Sequence, residues 1–316
     1  MGMNDRTSRI PAALLAAIAV AAALASPLPA AEYSRGGTFL PMGWDARGEG
    51  MGHAATILIR DDRSVFWNPA NLTFLSSPRI SLGTTKPVPD LDAYYSVLSA
   101  GMGLMDTRSH PDLDYSMRRF GVGIMVSHLG LELAGGSKWN EGTFGLSAAF
   151  SPNHYNSVGV TFRMMQSWSD LTDADATGMA VDFGWTALVR GKLWLAVVGR
   201  NFASTVSYPN RDEEIDPVWN LAAAYERIVD RVSVEFDTVF KNGAFSRFLI
   251  GGEVMLVRDL LFATGGLDYR LNEGKRAIPA FGFGSIYRGI EISIAFTFDP
   301  EDAFGRKTRV SVGYSL

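Results

Sequence analysis

The sequence predicts an all-β fold: a transmembrane antiparallel β-barrel of about fourteen strands, with an N-terminal segment folded inside it as a plug. Three observations carry this expectation. The chain begins like an exported protein, its later segments alternate apolar and polar residues over unusual lengths, and short and long connections interleave between those segments.

Arg6 and Arg9 precede an apolar stretch over 10–25 built almost wholly of Ala, Leu, Ile and Val, and small residues with prolines follow up to Ala31. A basic start, a short apolar run and a small-residue exit describe a Sec signal peptide, expected over 1–31 with cleavage after Ala30 or Ala31. A membrane anchor helix is the competing reading. Pro11 and an apolar run shorter than the ~20 residues of a spanning helix argue against it. The chain has no cysteine, so it offers neither a lipid-modified thiol nor a disulfide.

Composition narrows the class. After Ala25 no apolar run is long enough for a helical span, which excludes a helical membrane protein. The formal net charge of -4 gives no reason to expect nucleic acid. Four dispersed histidines (His53, His110, His128, His154) without cysteine make no zinc-type spacing, and no cofactor or metal is expected.

Alternation is the decisive signal. From Ile290 to Phe298 every even position is large and apolar, and every odd position is small or polar. Val310, Val312, Tyr314 and Leu316 oppose Arg309, Ser311, Gly313 and Ser315. Val232, Val234, Phe236 and Phe240 oppose Arg231, Ser233, Glu235 and Asp237; Val158, Val160, Phe162 and Met164 oppose Ser157, Gly159, Thr161 and Arg163. Val181, Phe183 and Trp185 likewise oppose Ala180, Asp182 and Gly184. Such runs exceed the ~5–6 residues of an ordinary soluble strand and match the ~9–11 that a tilted strand needs to cross a bilayer. Strands are expected to start near Arg79, Tyr94, Arg119, Thr143, Ser157, Gly178, Lys192, Val218, Arg231, Ser246, Leu260, Ala277, Ile290 and Thr308, giving a barrel over 79–316.

The connections supply an independent check. Short reversals at Arg190 and Gly191, Arg258 and Asp259, and Arg288 and Gly289 interleave with longer polar stretches over 204–216, 272–276 and 299–306. Outer-membrane barrels have short periplasmic turns and longer external loops, which places the protein in the outer membrane of a diderm bacterium. One connection resists: 106–118 falls on the short-turn side by parity, yet it is long. In hydrocarbon the sheet must close on itself to satisfy its backbone. The Val/Ile/Phe faces then look at membrane lipid, with Trp139, Trp168, Trp185 and Trp219 as candidate girdle residues. Val312, Tyr314 and Leu316 resemble the C-terminal signal that barrel-assembly machinery reads, although that signal more usually ends in Phe or Trp; a last strand with an ordinary pattern is the plainer account.

The stretch over 36–77 is not strand-like, and a plug segment is expected over 32–78. Asn68 before Pro69 suits an N-cap and first helical residue, predicting a short helix from Pro69 to Phe74. The residues from Ala46 to Ala55 (ARGEGMGHAA), then Asp61 and Asp62, then Trp67-Asn68-Pro69-Ala70-Asn71-Leu72, resemble the N-terminal signature of the FadL superfamily. The tryptophan before Asn68 and the short chain look more like its PorV/PorQ branch. Asn71 stands where the family usually has Gly, and residues 57–60 (ILIR) replace a smaller run. The resemblance implies a barrel of about fourteen strands with the N-terminal segment inside. In transporter members apolar ligands bind within and leave sideways through a gap in the wall; PorV-like members dock partners of type IX secretion.

Asp61, Asp62 and Arg63 are expected either to pin the plug to the inward polar face, with Arg163, Arg190, Arg200 or Arg247 as partners, or to form a solvated turn. Phe66 and Trp67 line an apolar cavity or simply pack the plug against the wall. Trp194, Phe281 and Phe283 are further candidate lining residues on inward faces. Pro279 cannot donate to a ladder, so it marks either a wall break or a strand start. An enzyme is not expected: His154 with Ser157 is the nearest nucleophile–base pairing, and it falls in a short turn. Two functional readings remain, passive transport of a hydrophobic, fatty-acid-like molecule and a scaffold for secretion or envelope partners.

Overall fold

The computed structural model describes residues 43–86, 92–106, 117–132, 135–170, 175–228, 231–271, 275–299 and 306–316. The expected leader and the first part of the plug segment lie outside the described residues. The strands are β1 (Arg79–Thr85), β2 (Ala93–Asp106), β3 (Arg118–Glu132), β4 (Lys138–Asn153), β5 (Asn156–Ser169), β6 (Ala176–Arg190), β7 (Leu193–Tyr208) and β8 (Arg211–Glu213). They continue with β9 (Val218–Ile228), β10 (Val232–Lys241), β11 (Ala244–Val257), β12 (Leu261–Arg270), β13 (Arg276–Tyr287), β14 (Ile290–Phe298) and β15 (Arg306–Ser315). Each wall strand pairs antiparallel with its sequence neighbours, and β1 pairs with β15, so fourteen strands close into a barrel. The three-residue β8 only extends the outer end of β7, which passes its lower half directly to β9.

Alternation sets which face looks out. Val158, Val160, Phe162 and Met164 are exposed on β5 while Ser157, Thr161 and Arg163 are buried, and β15 repeats this with Val310, Val312 and Tyr314 out and Arg309 and Ser311 in. Exposed Ile, Leu, Val, Met and Phe cover the outer wall, as lipid contact requires. Phe240 keeps its phase against β9 but is buried, with its ring 5.6 Å from that of Phe245, where a bulge at Ser246 adds a residue to β11.

Strand starts fall within two residues of expectation except in β4, which begins at Lys138 rather than near Thr143. The turns at the Leu316 end are short at β4–β5, β6–β7, β11–β12 and β13–β14. The long connection at 106–118 also lies at that end, and its residues 107–116 are outside the described set. At the opposite end one connection is tighter than the alternation of long and short implied. Asn242 (φ 50°) and Gly243 (φ 74°) join β10 to β11 in the left-handed conformations of a two-residue hairpin.

Candidate functional site

The segment from Gly43 to Pro78 fills the barrel. Asp45 caps a short helix, Ala46–Gly50, by accepting from the Gly48 amide at 3.0 Å. A second turn, Ser64–Trp67, runs into a 3-10 helix at Pro69–Phe74, where the Asn68 side chain accepts from the Ala70 amide at 3.1 Å. The expected helix and its cap are therefore in place. Almost every residue from Trp44 to Thr73 is buried or half-buried, which rules out a solvated turn for the acidic pair.

Burying this many backbone groups and charges demands partners, and the inward face supplies them. Arg63 is clamped by Asp61 and reaches Glu291 on β14 at 2.8 Å and Asp45 at 3.4 Å. Arg79, the first residue of β1, meets Asp62 at 3.0 Å and Glu291 at 2.8 Å. Ser81 and Ser99 also donate to Asp62, at 2.8 and 2.6 Å. Burial opposes ionisation of Asp61, but Arg63 and Arg79 outweigh it and hold that carboxyl below its usual range. Burial, and then the charge of Asp61, pushes Asp62 up to about 6. The two carboxyls thus differ in what they tolerate. Asp61→Asn should cost ~3 kcal/mol by removing one of the three carboxylates that hold the buried Arg63, and Asp62→Asn about 1–2 kcal/mol; urea midpoints of the two variants compare them directly.

Further pins surround this centre. Glu49 pairs with Arg309 at 2.8 Å and accepts from Thr297 at 2.9 Å; Arg47 pairs with Glu253 at 2.6 Å. The amides of Ile57 and Leu58 donate to Glu235 at 2.7 and 2.9 Å. Asn71 donates to the carbonyls of Thr56 and Ile59 and accepts from Thr186 at 2.7 Å, a hub that glycine in its place could not provide.

The expected cationic partners of the acidic pair act elsewhere. Arg163 pairs with Asp182 at 2.8 Å, Arg247 bonds Asp268 at 2.9 Å, and Arg200 holds the plug through the Trp67 carbonyl at 2.7 Å. Arg190 is exposed at the end of β6. The sequence reading missed Arg79 and Glu291 because alternation shows that a charge faces inward but not which plug residue lies opposite.

Close seating is made possible by wall glycines. A Cβ on Gly159, Gly184 or Gly266 would overlap Pro69, Asn68 and the Met51 backbone respectively. The plug backbone therefore rests directly on the sheet at these strands.

Beside the ionic centre, aromatic and aliphatic side chains of plug and wall pack together. Trp44 stacks on Phe66 with ring centroids 4.7 Å apart, and Trp67 donates its indole N–H to Asp45 at 2.6 Å. These plug aromatics share one buried cluster with Tyr95, Val97, Leu129, Met165, Val206 and Ile215 of the wall and its β8–β9 connection. Trp194 is inward too, but it packs at the other end of the plug, where the Arg60 guanidinium lies 4.0 Å from its ring and 4.4 Å from that of Phe74. Phe281 and Phe283 are not inward: they are 40% and 50% exposed on the outer face, since β13 turns Ile278, Ala280 and Gly282 inward instead. A one-residue error of phase exchanges the faces of a strand, and these two positions were read on the wrong one.

Pro279 lies within β13, paired with Leu267 of β12, and the ladder from β13 to β14 begins one residue later, at Ala280. Trp168, Trp185 and Trp219 are exposed on the outer wall, whereas Trp139 is half-buried with its indole N–H donated to Glu141 at 3.0 Å. Val312, Tyr314 and Leu316 face outward at the end of the chain. His154 sits in the β4–β5 turn.

No family model matches the sequence, and no curated protein matches it. Solved structures do. The toluene transporter TbuX of Ralstonia pickettii superposes with a TM-score of 0.60 at 12% identity, covering 87% of this chain and 98% of that one. A FadL homologue of Pseudomonas aeruginosa gives 0.59 at 10% identity, covering 86% and 98%, and the monoaromatic hydrocarbon channel CymD gives 0.63 at 12%, covering 87% and 98%. The plugged fourteen-strand barrel described above is thus the fold of FadL-like barrels.

Proposed function

We propose that the protein is an outer-membrane channel for passive passage of a hydrophobic small molecule. The observation that carries this reading is the buried apolar cluster that the plug aromatics form with the wall beside the ion-paired centre. Wall residues Tyr95, Val97, Leu129, Met165 and Val206 face the stacked Trp44 and Phe66 of the plug. A mostly apolar lining is what hydrophobic ligands select. The structural neighbours described as a toluene transporter and a hydrocarbon channel support the same class of cargo. The ligand enters from the loop end, rests against Phe66, and leaves through the wall. The β13–β14 ladder stopping beside Pro279 is one candidate for that exit. The scaffold reading draws its support from the sequence resemblance alone.

Uptake of a labelled medium-chain fatty acid and of toluene by cells carrying the protein, against the same cells without it, tests this. Faster uptake that Phe66→Ala diminishes is the expected result. Equal uptake by both cell types would sink transport and leave the scaffold as the leading account.

A further inference from the structure

Toward the end opposite Leu316, the outer wall of β3 to β7 carries two successive rows of outward residues in register. The lower row is Val126, Phe144, Met164 and Met179, all exposed and apolar, closed by Thr205. The upper row is His128, Gly142, Gln166, Thr177 and Ser207, with no carboxylate, lysine or arginine among them. His128 and Gln166 are each the eleventh residue of their strand counted from the Leu316 end. A tilted strand crosses the hydrocarbon in about 9–11 residues. The step from the lower row to the upper one is therefore the edge of the hydrocarbon, where acyl chains give way to headgroups.

At this step the wall is hollow. A groove of about 740 Å³ is lined by both rows and by Trp168, a volume in the range of small-ligand sites. Gly142 makes the notch, since it puts no side chain between His128 and Gln166. The Trp168 ring stands beside the notch, 3.4 Å from where a Cβ on Gly142 would lie. It stacks on His128 with centroids 5.7 Å apart, and His128 meets Tyr94 at 5.4 Å. These rings brace one side of the groove.

The groove is continuous with the lipid-covered wall, so its occupant is a lipid. Its upper row offers an amide, hydroxyls and an imidazole, groups that both donate and accept hydrogen bonds. Polar groups at the edge of hydrocarbon need partners, and the amide and ester linkages of an acylated lipid lie at that depth. A phosphate would instead call for guanidinium or ammonium groups. Width separates one lipid from another. Five strands spaced ~4.8 Å apart span about 19 Å, which is room for more acyl chains side by side than the pair of a phospholipid.

We propose that this groove seats one lipid A-type glycolipid of the outer leaflet, with its several acyl chains on the apolar row and its amide and ester linkages on the polar row. The proposal rests on the outer-membrane placement and not on transport, because the groove lies outside the lumen.

Native mass spectrometry of the full protein, released from detergent with equal amounts of a deep-rough lipopolysaccharide and phosphatidylethanolamine, gives the test. One glycolipid per barrel should survive release, ~10-fold in preference to phosphatidylethanolamine, the effect of one or two net hydrogen bonds. Gly142→Leu fills the notch and should abolish the preference. Gly265→Leu adds the same bulk at an open, exposed position of β12 and should leave it intact. Gln166→Leu combined with Thr177→Val removes hydrogen-bonding groups at exposed positions facing lipid, and should also abolish the preference; it decides if Gly142→Leu fails to insert. Equal or weaker retention of the glycolipid by the parent protein, or a preference that the groove variants keep, overturns the proposal. Uptake plays no part in this readout, so failure here leaves the transport reading standing.

Discussion

Replacing Arg63 with methionine should cost about 3–5 kcal/mol, the penalty for removing one partner of a buried ion cluster. Arg63 is almost wholly buried and faces the carboxylates of Asp61, Asp45 and Glu291 together. Without it, Arg79, shared between Asp62 and Glu291, and Arg47 remain as the nearby cations. The loss should fall on the plug more than on the wall, because the wall keeps its closed ladder. Limited proteolysis of the plug segment in the reconstituted protein, beside a urea titration, separates the two. New cleavage between Gly43 and Pro78 with an intact barrel band is the expected pattern. Adding Glu291→Gln should recover part of the loss by removing one stranded charge. An unchanged midpoint and no new cleavage would contradict the role given to Arg63.

The second large effect concerns the seat rather than the lock. Gly266→Val should drive the plug off the wall, since a Cβ there would overlap the carbonyl carbon and oxygen of Met51 and the amide of Gly52, none of which can rotate away. Overpacking of this kind typically costs about 1–3 kcal/mol, and the strain has an outlet because the plug is a separate layer from the sheet. Planar-bilayer recordings should show step-like ionic openings that the parent protein lacks. Gly265→Ala is the matched control: nothing lies within 4 Å of a Cβ built there. Silence from both variants would mean that the plug yields without opening a path.

Legibility followed the physics of each level. Period-two patterning is written into each strand separately, so Arg309 and Ser311 could be read as inward and Val310 and Val312 as outward without knowing any neighbour. The cap at Asn68 is equally local, an Asx side chain one residue before Pro69. Pairing across the lumen is not local. That Asp62 meets Arg79, seventeen residues on, while Glu49 meets Arg309 depends on how the plug is rotated inside the barrel, and no period encodes that. The wall glycines fall between these cases. Gly159 and Gly184 were legible as inward and small, but that wall glycines form a seat depends on where the plug backbone lies. Phe281 and Phe283 show the cost of a phase error in a strand where Gly282 and Gly284 leave the alternation thin.

The plug's longest ties bear on the order in which the molecule assembles. The amide of Ala46 donates to Ser311 across 265 positions of chain, and Glu49 reaches Arg309 across 260. Other ties bind the same segment to β5, β6, β10 and β14. The segment that is synthesised before the barrel can therefore complete its docking only after the final strand has arrived, and the closing β1–β15 ladder and the seated plug depend on the same last event. Contacts of such sequence separation are formed late and slowly. Folding of this protein should accordingly end in one slow, shared step in which the ring shuts around its contents.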